Sequence, residues 1–469
     1  MISALKTFDA PDGIALDSAF VLQVRAGEGE WASVPTYAVD VATINPLANA
    51  FHKHPIAVAS IDVRGPVTVR ARYTPGLVTK ATVRPASRSI PAIIDDGSVV
   101  TFTLDRTRDV MLQINGDKWK ALHLLVNEID DDAPMGDCDD VWYFGPGLNN
   151  GSAYSLVEDG DLLVPSGKTV YLAGGAFLSA RITFKDVSKA ALRGHGFIYQ
   201  PRDGAVLIER SSDITVQGVT SLSAGGFSLT TGEAHGVHID HYRSFSSSGN
   251  GDGVDFFCST DVLVENCFLR NSDDTVAIYG HRWNYSGDTR GITVRDSVLL
   301  PDIAHAVQIG THGAPDAPEH FSDIRISNID VLDHEERQVW YQGVLSVNAG
   351  DANLIEGVVF EDIRVERITR GQLINIRVMQ NAMWTTAPGR GVRDVTVRNV
   401  SLDTDASEIV NPSMILGYDA ERKVENVRFE NLRIGGRHIH VGMSKPRWFM
   451  VADQVPLFAN EHVSGLNFK

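Results

Sequence analysis

The chain is poor in cysteine, with Cys138, Cys258 and Cys267 the three in 469 residues. That number, with no paired metal spacing, excludes a disulfide framework and a thiolate zinc site and leaves buried reduced thiols as the expectation. Positive charge is also short: 42 Lys and Arg stand against 59 Asp and Glu, a formal net charge of −17. No basic stripe remains for a phosphate backbone, so nucleic acid is not an expected partner. Nowhere do about 18 apolar residues run together, which excludes a membrane-spanning helix from the expectation. The opening residues MISALKTFDAPDG lack the basic start and apolar core of an export signal. The expectation is a cytoplasmic protein, or a secreted one if its signal has been removed.

What is present is a globular composition, 43% hydrophobic and 22% charged. The length exceeds one ordinary core and predicts two domains, or a domain joined to a repeat array. Up to about residue 129 the pattern has period two: Val67, Val69, Ala71 and Tyr73 point one way, Thr68, Arg70 and Arg72 the other. With the runs TFTL and VMLQI and intervening Gly, Pro and Asp turns, this predicts an antiparallel β-sandwich over residues 1–135. The stretch EIDDDAPMGDCDD, Glu128 to Asp140, has little to bury and marks the boundary. Its carboxylates do not follow the EF-hand spacing, so a solvated linker is expected, and neither a metal nor a cofactor.

Over residues 136–469 one phrase returns: SSDITVQGVTS, AHGVHIDHYRS, STDVLVENCFL, TRGITVRDSVL, FSDIRISNIDV, IEGVVFEDIRV, VRDVTVRNVSL, VENVRFENLRI and VSGLNFK. Successive copies lie roughly 23 to 39 residues apart, in the range of solenoid repeats. No helical periodicity separates them. The economical architecture is a right-handed parallel β-helix whose coils stack at about 4.8 Å with Val and Ile inside. Asn266, Asn328 and Asn399 read as turn residues of stacked ladders.

A second strand per coil is supplied by GGFSLTT, GVDFFCS, DTVAIYG, HAVQIGT, GVLSVNA, LINIRVM and SMILGYD. Setting Val254, Val276, Val307 and Val344 at equivalent inward positions aligns Asp252, Asp274, His305 and Gln342 in one outer column, with Asp273 beside Asp274. Turn chemistry explains this poorly, because like charges at coil spacing repel unless their protonation states split. A split set is what glycosidic hydrolysis uses: one carboxyl of raised pKa donates a proton while another, ionised, polarises water.

NGDGVD, SDDTVAI and HAVQIGTHG resemble the motifs of the polygalacturonase-type parallel β-helix hydrolases, glycoside hydrolase family 28, whose pattern runs N-T-D-G-x-D, D-D-C, and G-H-G with S-I-G. The resemblance covers about residues 140 to 450. It implies that Asp252 and Asp274 activate water, that Asp273 is the general acid and that His305 supports the site. Gly251 and Thr275 depart from the pattern without touching proton chemistry. The family's following R-I-K strand, whose cations hold a galacturonate carboxylate, corresponds to GVLSVNA, with Leu345 and Val347 in the place of Arg and Lys. Without that charge-assisted clamp a neutral sugar is expected.

Sandwich followed by β-helix, joined through INGDKWKALHLLVNEI, is similar to the dextranase and isopullulanase family, glycoside hydrolase family 49, which implies an α-glucan and inversion. On that template Asp255 rather than Asp252 supplies the third carboxylate, and spacing leaves both open. Residues expected to touch sugar are His281, Arg282, Trp283, Tyr285, His312, Trp340, Asn375 and Arg377, as aromatic platforms and hydroxyl holders. The expected partner is therefore an oligo- or polysaccharide. Two rival readings are a pectin-type hydrolase or lyase and a non-catalytic carbohydrate-binding solenoid.

Overall fold

A computed structural model describes residues 3–45, 50–157, 160–338, 340–341, 343–404, 411–440, 442 and 457–469. The N-terminal part folds as two facing sheets. One runs Ala4–Lys6, Ala50–Arg64, Asp117–Glu128, Val110–Ile114 and Ala81–Arg84, with Tyr37–Asn45 also paired to Ala50–Arg64. The other runs Ala32–Val34, Phe20–Ala26, Val67–Tyr73, Val99–Leu104 and Ile93–Asp95. The alternation in Val67–Tyr73 is realised, with Val67, Val69, Ala71 and Tyr73 buried and Arg70 and Arg72 exposed. The sandwich is mixed rather than purely antiparallel, because Asp117–Glu128 runs parallel to Ala50–Arg64. The chain between these strands visits the opposite sheet, and that crossover returns it in the same direction.

Ala50–Arg64 is buried on both faces from Ile56 to Val63, which is why that stretch is apolar but for Ser60 and Asp62. One face looks into the sandwich. The other contributes Ile56 and Val58, with Tyr37, Val39, Val41, Met111 and Leu125, to an apolar cluster whose second half is Phe177, Phe197, Leu222, Phe245, Phe268, Val298, Leu300 and Leu332 of the solenoid. The sandwich thus lies along one side of the coils.

From Val141 onward the strands stack, in parallel except for the hairpin Leu432–Ile434 with Arg437–Ile439, into a sheet of 21 strands and a sheet of 11, a parallel β-helix with one continuous Val, Ile, Leu and Phe interior. The recurring Asn and Asp make the corners. Asn266, Asn328, Asn399 and Asn431 have φ between 51° and 56°, a left-handed region Asn tolerates. Each side-chain amide donates to the coil before: Asn266 to Asp240, next to the corner His241, at 2.8 Å, and Asn328 to Asp296 at 2.6 Å, Asn399 to Asp362 at 2.9 Å and Asn431 to Asn399 at 3.0 Å, corner to corner.

In the 11-strand sheet Val254, Val276 and Val307 align as expected, and the next partner is Leu345, not Val344. Asp252, Asp274 and His305 keep their common level two residues upstream. On the following coil that level is Gly343; Gln342 lies outside the described residues. Leu345 and Val347 consequently point into the core, and the outward positions are Ser346 and Asn348. Adjacent Val344 and Leu345 are both apolar, so the sequence offers no alternation to fix the parity of that strand. Among the described residues no helix is long and apolar enough to cross a membrane.

Candidate active site

Between the short third strand of one coil and the 11-strand sheet, each coil makes a loop. Asp252 precedes Val254–Phe257, Asp273 and Asp274 precede Val276–Tyr279, and His305 precedes Val307–Gly310. Backbone bonds stitch these loops together: Gly253 N–H to Asp274 O at 2.9 Å and Thr275 N–H to His305 O at 2.8 Å. Gly253 is required here, since a Cβ would lie 2.3 Å from Thr275 O. One carboxylate oxygen from each of Asp252, Asp273 and Asp274 lies within 4.8 Å of the others. These oxygens are also the ones among the described residues that are placed to hold a hard cation, which would compete with protons for them.

Asp274 is tied down on both oxygens. Oδ1 accepts from His305 N–H at 3.0 Å and from His305 Nδ1 at 2.6 Å, and Oδ2 accepts from Tyr279 OH at 2.6 Å. The other ring nitrogen of His305 faces Tyr341 O at 2.7 Å. With an acceptor at each nitrogen, His305 is an imidazolium. Burial opposes its charge, but Asp274 overrides this and raises its pKa to about 9. Burial also opposes ionisation of Asp274, yet His305 and the hydrogen bonds hold that carboxyl below its ordinary range.

Asp273 has the opposite fate. Burial, then the charge of Asp274, lifts it to about 7, so it keeps its proton into neutral pH. Burial pushes Asp252 well above the usual range, helped by Asp255, Asp273 and Asp274. Asp255 is fully buried beneath Asp252 and is raised by burial and Asp274. Asp252 Oδ1 has no hydrogen-bond partner among the described residues. One ionised carboxylate, held by a cation, and protonated neighbours constitute an acid–base set.

The cleft above these groups is lined by Asp252, Asp273, Asp274, His305, Arg282 and His312 from the expected set. Burial and then Arg282 lower His312 to about 4, so it is neutral. Asp255 is placed under the floor. Trp283 stands exposed beside it, with the Arg282 guanidinium 4.8 Å from its ring. Trp340 is also exposed, its carbonyl bonded by Arg377, whose guanidinium lies 5.9 Å from the Trp340 ring. His281, Tyr285 and Asn375 do not line the cleft. His281 bonds Tyr285 O at 2.6 Å, Tyr285 lies over Gly232, and buried Asn375 donates to Gln372 at 2.8 Å.

The structure adds Phe227, Asn250, Tyr279, Ala304, Glu336, Gln338, Tyr341 and Trp384 to the lining. Tyr279 was accessible to sequence reasoning as an outward position of DTVAIYG. Glu336 lies three residues past Asp333, as His305 lies three past Asp302, a spacing that signals it. Trp384 comes from a loop outside the repeat and carries no such signal.

A parallel β-helix with three carboxylates and a histidine on adjacent coils defines the class: a carbohydrate-active solenoid. Residues 192–445 match the profile described as Glycosyl hydrolases family 28, more than half of the chain. The chain belongs to that family. A polygalacturonase of Chamaecyparis obtusa is 25% identical over 179 residues, 37% of this chain and 32% of the relative. An endopolygalacturonase B of Aspergillus niger is 28% identical over 195 residues, 40% of this chain and 49% of the relative. The chain spans about a third to a half of the length of such relatives. Among solved structures, Dex49A from Penicillium minioluteum superposes with a TM-score of 0.66 at 13% identity, covering 99% of this chain and 96% of that one. That likeness is one of fold, and it takes in the sandwich as well as the coils.

Proposed function

We propose that the protein hydrolyses a glycosidic bond of a neutral oligo- or polysaccharide, an α-linked glucan being the first candidate, with inversion of configuration. Asp273, protonated up to about pH 7, gives its proton to the leaving oxygen. Asp252 with Asp274 directs water to the anomeric carbon, and His305 with Tyr279 keeps Asp274 ionised. The observation that carries this reading is the split between Asp273, held protonated, and Asp274, held charged, in one cleft. One oxygen from each carboxylate lies within 4.8 Å of the others, closer than the separation usual for inversion, and the water is placed beside the set.

A neutral sugar is supported by the outward positions Ser346 and Asn348, neither of them a cation. The cations nearest the reacting groups, His305 and Arg282, already face Asp274, Asp252 and Asp255. A substrate carboxylate would therefore find these cations already engaged by the protein's own carboxyl groups. The second reading, a pectin-type hydrolase, is favoured by the names of the curated relatives and by Arg282, which lines the cleft. Incubation with neutral α- and β-linked oligosaccharides and one pectic substrate separates the two. Release of reducing ends from a neutral glucan is the expected result, and activity on polygalacturonate alone overturns the neutral assignment. Proton NMR of the first-formed product is expected to show the inverted anomer; retention overturns direct water attack.

A further inference from the structure

Three successive coils carry a charged residue three positions before a residue of the cleft: Arg270 before Asp273, Asp302 before His305, Asp333 before Glu336. Arg270 and Asp302 are fully buried and pair through Nε to Oδ2 at 2.7 Å and Nη2 to Oδ1 at 3.3 Å. Asp302 also donates its N–H to Asn271 O at 2.8 Å. From the sandwich, Lys118 on the strand Asp117–Glu128 brings its Nζ to 3.4 Å from Asp302 Oδ1 and 3.2 Å from Asp333 Oδ2. Its carbonyl accepts from Arg270 Nη2 at 3.2 Å. The next residue, Trp119, has the Arg270 guanidinium 5.3 Å from its ring, and His54 stacks on that ring at 4.0 Å. Asp333 is completed by Thr369, whose Oγ1 donates at 2.9 Å and N–H at 3.1 Å, and by the N–H of His334 at 2.8 Å.

Where the loops leave the sheets, the continuous ladder thins to single backbone bonds between coils, such as Thr275 N–H to His305 O at 2.8 Å and Ala304 N–H to Glu335 O at 3.1 Å. We infer that Lys118 is a positioning residue: by bridging Asp302 and Asp333 it fixes the loops that carry His305 and Glu336, and through Arg270 the loop that carries Asp273. The sandwich is then part of the machinery of the cleft rather than an appended module. Buried charges suit this task, because in a low dielectric a displaced ion pair is strongly disfavoured and the loops gain a stiff reference point. Reacting groups misplaced by about 1 Å lose on the order of a hundredfold in rate, so such a reference has a kinetic consequence.

The kinetic half of the test rests on the hydrolase reading above; the spectroscopic half does not. Lys118→Met keeps an unbranched stem and removes the charge, and Lys118→Arg restores it. Lys118→Met is expected to lower kcat by about tenfold or more with KM within about twofold, and Lys118→Arg to recover most of the loss. By NMR, the imidazole of His305, faced by Asp274, Asp273, Glu336, Tyr341 and the His334 ring, is expected to titrate at a different pH in Lys118→Met than in the parent protein. Should Lys118→Met not fold, Asp333→Asn removes the same bridge from the solenoid side and is expected to give both effects. A lower Tm with kcat per folded molecule and the His305 titration unchanged overturns the inference. A shifted titration in a protein that cleaves no sugar supports the inference while defeating the hydrolase reading.

Discussion

Asp273 and Asp274 are neighbours in sequence with opposite protonation states, and the difference comes from what each touches. Asp274 accepts three hydrogen bonds, two of them from a cationic histidine, while Asp273 accepts one backbone N–H, from Asp274 itself. Replacing the acid, Asp273→Asn, is expected to lower turnover by about a hundredfold or more. In the parent protein activity is expected to fall as pH rises through about 7, where Asp273 loses its proton. Stability carries the same signature with the sign reversed from the usual carboxylate. The native pKa of Asp273 is raised, so there is no penalty below about pH 4 and a growing one, a few kcal/mol in all, up to about pH 7. His305 is raised as well, and the stability it contributes is fully present below about pH 6.5 and lost as pH rises through about 9. Thermal melts should therefore give a lower Tm at pH 9 than at pH 6, and Asp273→Asn should gain in Tm at pH 8 but hardly at pH 4. A Tm that climbs from pH 6 to pH 9 contradicts both assignments. Tyr279→Phe removes one donor to Asp274 Oδ2 and is expected to shift the acid limb of the rate profile to higher pH.

At the scale of strands and turns, two kinds of corner separate stability from activity. Asn399 sits at φ 52° and links Asp362 to Asn431, so Asn399→Ala loses two ladder bonds and strains the turn. Its expected cost is about 1–3 kcal/mol in denaturant unfolding with kcat per folded molecule unchanged. Gly253→Ala forces a Cβ against Thr275 O and pushes the loop of Asp252 off that of Asp274. A loss of kcat of about a hundredfold is expected from a shift of that kind, and a fully active Gly253→Ala enzyme would mean that Asp252 takes no part. These elements differ in how legible they are in the sequence. The corners could be read because Asn or Asp recurs at most of them and only a few residues accept that backbone. Asp252, Asp274 and His305 could be aligned because Val254, Val276 and Val307 have no second large apolar residue beside them. Val344 and Leu345 gave no such parity, so that strand slipped by one and its outward pair was misassigned. The lining of the cleft was legible only in part, since Tyr285 is drawn onto Gly232, distant in sequence, and Asn375 onto Gln372, three residues before it.

For the molecule as a whole, the side of the sandwich that meets the coils has no use in water. Tyr37, Val39, Val41, Met111 and Leu125 share one apolar cluster with Phe177, Phe245, Phe268 and Leu332. Buried and half-buried polar links cross the same boundary: Arg243 to Asp109 at 2.7 Å, Arg84 to Glu366 at 2.7 Å and His195 to Asp62 at 2.9 Å. Burial works against the charge of Asp109, and the Arg243 guanidinium holds its carboxyl below the ordinary range all the same. If either half unfolded alone, it would leave this surface and these charges unpaired on the other. Calorimetry is therefore expected to show one transition with equal calorimetric and van't Hoff enthalpies, although the chain is long enough for two. Arg243→Met strands Asp109 and is expected to cost about 3–5 kcal/mol. Because the loss falls on the shared boundary, the single peak should move down without splitting, and a peak that splits in two would show that the halves fold independently.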